Sequence, residues 1–178
     1  MSVPPNQRPT ETKPEEFYLP RGEGRRVWLN GDVYTLKVGG EQSRGALTLI
    51  EASVPPGGGP PPHTHDVEDE AFYVIDGVLE IMAEDNRYEA GPGDFVFIPR
   101  GTVHAFRNNG ALPAKQLLIF TPGYYEGFFF EAGSPVIEGR QAPPRDPADD
   151  GRINDVGEKY GSVQVQFRPE LFEAPTTE

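Results

Sequence analysis

Along this chain apolar side chains recur at every second position, in short runs that glycine, proline and asparagine cut apart. Such alternation predicts half-buried strands. Arg26-Val27-Trp28-Leu29 and Asp32 to Lys37 read as two strands joined at Asn30-Gly31, a dipeptide suited to the positive φ angles of a tight hairpin turn. Ala46 to Val54 gives a third, and Glu70-Ala71-Phe72-Tyr73-Val74-Ile75 a strand rich in aromatic and β-branched residues. After the Asp76-Gly77 turn, Leu79, Ile81 and Ala83 alternate with Glu80, Met82 and Glu84. Arg87 to Ala90 is short and edge-like; Phe95 to Ile98, a strand carrying His104, and Lys115 to Thr121 complete the set.

The period changes after Pro122-Gly123. Tyr125, Phe128, Phe129 and Ala132 recur at helical spacing, which predicts a short helix, packed on one end of the β structure or serving as a lid on a substrate. Residues 134–151 read as irregular, Ile153 to Tyr160 as one or two helical turns, and Ser162 to Phe167 as a last strand. The expected organisation is a flexible, proline-rich arm over 1–24, a barrel over 25–135, and over 136–178 an irregular extension with a short helix and a late strand.

Composition narrows the picture. A chain of 178 residues fits one domain, and 21 glycines with 20 prolines among many short strands point to an antiparallel sandwich or barrel. A net charge of −12 disfavours nucleic acid and anionic membranes as partners, because both would repel it. The absence of cysteine removes disulfides and thiolate ligands. With no leader-like or membrane-length apolar stretch in view, a cytoplasmic location is expected.

The candidate chemistry is concentrated. The three histidines of the chain, His63, His65 and His104, all lie in one stretch, two of them as H-x-H. On a strand, residues two apart share a face, so His63 and His65 present adjacent imidazoles. Glu70 opens the returning strand and can sit opposite them, while His104 follows the Pro99-Arg100-Gly101 turn. Three imidazoles and a carboxylate suit one divalent transition metal, whether iron, manganese, nickel, cobalt, copper or zinc. Parity from Glu70 and His104 puts Phe72, Val74 and Phe106 on the ligand face, predicting an apolar substrate pocket. Few cations lie nearby in sequence, so a flat, neutral aromatic fits better than a phosphorylated substrate.

These spacings resemble a family. Gly57, five residues, His63-x-His65, four residues, Glu70, six residues and Gly77 match the first cupin motif. Gly93, five residues, Pro99-x-Gly101, two residues, His104, three residues and Asn108 match the second. The wording VPPGGGPPPHTH, EDEAFYVIDG, GDFVFIPRGTVHAFRN and GYYEGFF is most similar to single-domain bacterial cupins related to quercetin 2,3-dioxygenase. The resemblance implies an all-β double-stranded β-helix, or jelly roll, with a short helix after the barrel. It also implies a metal-dependent dioxygenase taking a small flavonol-like or other aromatic enol or phenol together with O2, Glu70 acting as ligand or as base. A metal-dependent isomerase or cyclase of a keto or polyketide-like substrate, or a non-catalytic small-ligand cupin, would use the same residues. Barrel edges and extra terminal strands predict a homodimer, in which the N-terminal arm or Ser162 to Phe167 pairs with another sheet.

Overall fold

The computed structural model describes residues 15–165. Two antiparallel sheets enclose one core. Strands β1 (Arg26–Leu29), β2 (Asp32–Val38), β3 (Thr48–Val54), β5 (Asp69–Asp76), β8 (Phe95–Ile98), β10 (Ala114–Thr121) and β11 (Ser134–Pro135) form the larger sheet, in the order β11-β1-β2-β3-β10-β5-β8. Strands β4 (His63–His65), β6 (Leu79–Ala83), β7 (Asn86–Ala90), β9 (His104–Arg107) and β12 (Ser162–Gln164) form the smaller, in the order β12-β4-β9-β6-β7.

The alternation in the sequence explains what lies inside. Ile50, Ala52 and Val54 of β3, Phe72 and Val74 of β5, Leu79 and Ile81 of β6, and Leu118 and Phe120 of β10 point inward and are almost fully buried. Each large side chain so buried stabilises the fold by about 2–3 kcal/mol relative to exposure. The Asn30-Gly31 hairpin has both residues at positive φ, 55° and 91°, as its composition predicts.

Three short helices are added: α1 (Gly40–Ser43), α2 (Glu126–Ala132) and α3 (Asp150–Lys159). Glu126 anchors α2 on the barrel, its Oε1 accepting from the Gly40 backbone at 2.6 Å and its Oε2 from the Thr48 hydroxyl. That bond fixes Tyr125 at the mouth of the barrel. Helices α2 and α3 approach closely where Gly127 meets the Tyr160 ring; a Cβ on Gly127 would lie 2.5 Å from it. Among the described residues no helix is long and apolar enough to cross a membrane.

One reading of the later chain changes. Residues 134–151, expected to be irregular, contain β11 and a 3-10 turn at Pro147–Asp149, since Ser134 and Pro135 reach the free edge of β1. The late strand pairs on one side with β4 of its own chain, Ser162 opposite His65 and Gln164 opposite His63, and its other side is the edge of the smaller sheet. Residues 1–14 of the expected arm, and Gln166 and Phe167 of the expected strand, lie outside the described residues.

Candidate metal centre

The four site residues come from both sheets. His63 and His65 stand on β4, His104 pairs with His63 from β9, and Glu70 reaches across from β5. One ligand atom from each can be chosen so that all four lie within 4.8 Å of one another. The Nε2 atoms of His65 and His104 stand 3.1 and 2.8 Å from the same Glu70 oxygen, Oε2. His65, Glu70 and His104 are almost completely buried.

Local structure dictates how the rings are presented. His63 Nδ1 lies 3.1 Å from the Pro61 carbonyl, and His104 Nδ1 lies 2.9 Å from that of Thr102. A carbonyl only accepts, so each Nδ1 carries the hydrogen and each neutral ring leaves Nε2 as a bare lone pair. The His104 lone pair then faces a carboxylate oxygen, an acceptor against an acceptor, and only a proton or a cation between them makes that contact favourable. His65 has no carbonyl anchor, its Nδ1 being buried and unpartnered. Its ring is instead held by edge contacts with Tyr125, at 4.5 Å between centroids, and Phe120, at 5.6 Å.

Electrostatics agree. Burial alone would raise the Glu70 carboxyl; with a proton in place on the imidazole nitrogens, hydrogen bonds from His104 and His65 outweigh that burial and hold the group well below the usual range. Burial would lower His104, yet the Glu70 hydrogen bond raises it. Burial, then the neighbouring His104 and His65, pushes His63 well down, so its ring is neutral and free to donate its lone pair. The separations of about 3 Å are those of adjacent ligand atoms around an ion bonded at about 2.1 Å. The buried donor set, with the His63 and His104 tautomers fixed by backbone carbonyls, fits a divalent transition metal, with imidazole nitrogens as its main ligands.

Two turns hold these strands in place. Arg100 grips Asp69 with its backbone N–H, Nε and one terminal nitrogen, each at 3.0 Å, which ties the turn before His104 to the residue preceding Glu70. Side-chain hydrogen bonds from Arg100 lower the Asp69 carboxyl to about 2. The approach to His63 runs against Phe106, where a Cβ on Gly59, at φ +124°, would fall 2.0 Å from the Phe106 carbonyl oxygen. Asn108 is buried and structural, donating to the Val54 and Leu112 carbonyls and accepting from the Gly110 backbone.

A cavity of about 60 Å³ opens beside His63, His65 and Glu70. Phe106 lines it, as parity predicts; Phe72 and Val74 do not. Both point into the barrel, but Phe72 lies behind the site, its ring 5.8 Å from Phe106 and 6.1 Å from His104, and Val74 is a further strand step into the core. Parity fixes a face and not a depth. The other walls are Tyr34, Leu118, Phe120, Tyr125 and Phe128, with Ile153 and Asn154 from α3. Asn154 contributes a buried Oδ1 without a partner. Inward alternation flagged Tyr34 and Phe120 only as core, while helical spacing flagged the helix of Tyr125 and Phe128 as packing on the barrel end or as a lid. Nothing in the sequence marked Asn154.

Residues 50–120 match the cupin domain family. The barrel is a cupin domain. Over 119 residues it is 26% identical to quercetin 2,3-dioxygenase from Bacillus subtilis, an alignment covering 67% of this chain and 35% of that protein. The chain spans between about a third and about three fifths of the length of the first curated relatives it matches. Among solved structures, the cupin fold is shared with KdgF from a Halomonas species, at TM-score 0.56 and 18% identity over 64% of this chain and 98% of that one. It is shared also with the polyketide cyclase RemF from Streptomyces resistomycificus, at TM-score 0.55 and 19% identity over 72% and 90% of the two chains. The fold is therefore a double-stranded β-helix with a short helix after the barrel.

Proposed function

We propose that this cupin is a metal-dependent dioxygenase that cleaves a flavonol-like or other aromatic enol or phenol with O2. The observation that carries the reading is the pairing of the three-imidazole cluster, two of its rings tautomer-fixed, with an aromatic cavity in which Glu70 is the sole carboxylate and no cation lines the wall. Such a lining favours a flat, neutral ligand over an anionic one. The likeness to quercetin 2,3-dioxygenase supports the same substrate class.

In this proposal His63, His65 and His104 hold the ion through Nε2, and the metal supplies Lewis acidity and a site for reaction with O2. Glu70 accepts the enol or phenol proton at its carboxylate, within reach of a substrate oxygen lying among the three imidazoles. Phe106, Phe120 and Tyr125 exclude water from the reacting ring, and Asn154 Oδ1 offers an acceptor to a substrate hydroxyl. For a flavonol, both atoms of dioxygen enter the product and one carbon leaves as carbon monoxide. At about 60 Å³ the cavity is smaller than the roughly 150 Å³ that accommodates a benzene ring, so substrate entry requires α2 and α3 to give way.

An oxygen electrode tests the reading, with quercetin as substrate and protein whose metal content has been measured. Oxygen uptake with bleaching of the flavonol's visible absorption is expected. Glu70→Gln should keep most of the metal and lose roughly 10²–10⁴-fold in rate, the usual scale for a missing general base. Equal turnover of a substrate under strict anaerobiosis would refute the dioxygenase reading and install an isomerase or cyclase in its place.

A further inference from the structure

His65 differs from the other two imidazoles of the site. The Nδ1 atoms of His63 and His104 each meet a backbone carbonyl, at 3.1 and 2.9 Å, whereas His65 Nδ1 is buried with no partner. A neutral imidazole that gives its Nε2 lone pair to an ion carries its hydrogen on Nδ1, and a buried N–H without an acceptor is costly. The aromatic neighbours do not supply one. Phe120 has no polar side-chain atom, and Tyr125 meets the ring edge-on with its hydroxyl hydrogen-bonded to Ser162.

A second orphan lies three residues along the chain. Asp66, Val67 and Glu68 join β4 to β5; the first two are exposed, but Glu68 is turned inward and keeps only 6% of its surface in solvent. Its Oε2 is buried without a partner. Of the ionisable side chains around it, His65 acts on it most strongly, ahead of Arg100 and Glu70. The turn is pinned on both sides, the Asp66 N–H donating to the Gly161 carbonyl and the Gly101 N–H to that of His65, each at 2.8 Å. His65 and Glu68 are thus held at the two ends of one short, fixed turn.

We propose that Glu68 is a positioning residue for His65: its buried carboxylate accepts the Nδ1 hydrogen and so fixes the tautomer that presents Nε2 to the ion. Where His65 Nε2 donates to Glu70, across 3.1 Å, Nδ1 is a bare lone pair and stays apart from another acceptor. Where Nε2 gives its lone pair to an ion, the hydrogen stands on Nδ1 and the two orphans satisfy each other. Negative charge beside that N–H also makes the ring a stronger donor. The role rests on the metal reading of the three histidines and holds for any reaction run there.

Zinc serves as the probe, because it is diamagnetic and accepts imidazole ligands. Glu68→Leu removes the acceptor and keeps the bulk, so zinc affinity, measured by competition with a chelator, should fall about 10–100-fold. The zinc-free variant should unfold at a urea concentration no lower than the native protein, since an apolar group replaces an unpaired buried carboxylate. Glu68→Gln, which restores an acceptor, should recover most of the lost affinity. Nitrogen NMR of zinc-loaded native protein labelled in histidine should find the His65 hydrogen on Nδ1 and close to the Glu68 side chain, a readout that needs no variant to fold. Zinc held by Glu68→Leu as tightly as by the native protein, a His65 hydrogen on Nε2, or an Nδ1 hydrogen with no contact to Glu68 would each overturn the role and leave the metal centre standing. Native protein that binds no zinc would remove the metal centre itself, and the role with it.

Discussion

Asp32 offers a test of the core that leaves the metal centre untouched. It begins β2 but points inward beneath the glycine loop, fully buried, with the Tyr34 hydroxyl donating to its Oδ2 at 2.9 Å. Gly58 is packed so close that a Cβ there would fall 2.4 Å from Asp32 Oδ1. Burial pushes the carboxyl up from 3.8 to about 7, the Tyr34 hydrogen bond offsetting only part of the rise. Between those values the native state holds a proton that the unfolded chain has released, so stability falls as pH rises and is flat above about 7. Asp32→Asn keeps an acceptor for Tyr34 and removes the ionisation. Its stability relative to the native protein should therefore increase by about 1.4 kcal/mol for each pH unit between pH 5 and pH 7, then level off. Urea titrations of both proteins in chelator, compared pH by pH, isolate this term because the three histidines titrate alike in each. Parallel stability curves from pH 5 to pH 9 would refute the assignment of a buried, neutral Asp32.

Two further outcomes are expected. Replacing His63 and His65 together by alanine should abolish metal retention, measured by elemental analysis, while far-ultraviolet circular dichroism remains that of a β protein. Gly59→Ala should destabilise by on the order of 2 kcal/mol or more, seen as a lowered melting temperature, because it combines a positive φ with a collision against the Phe106 carbonyl.

What the sequence disclosed follows from which interactions are local. The hairpin at Asn30-Gly31, the inward faces of β3, β5 and β10, and the helix at Tyr125 are each written in a dozen residues or fewer, where period and turn chemistry suffice. The convergence of His63, His65, Glu70 and His104 could be foreseen because motif spacing fixes how two strands return to one point. The cavity could not be foreseen. Its walls are assembled from β2, β10, α2 and α3, whose meeting depends on barrel closure, so Tyr34, Phe120 and Asn154 looked like any other core or surface residue. For the same reason Phe72 and Val74 had the right face and the wrong depth. The pairing of Ser162 with His65 is a long-range contact that an alternating strand of three residues does not specify.

That pairing orders the making of the protein. As the chain leaves the ribosome, the strand bearing His63 and His65 emerges with no neighbour of its own to bind. Its first neighbour begins at His104, forty-one residues after His63, and meets it through one residue pair. Its second begins at Ser162, ninety-seven residues after His65. Because loops of this length must close before either contact is gained, the two histidines are among the last groups to be locked in place. Until Ser162 is made, they sit on a ribbon with one open side, and the four-residue cluster that could hold an ion is completed at the end of folding, not in its nucleus.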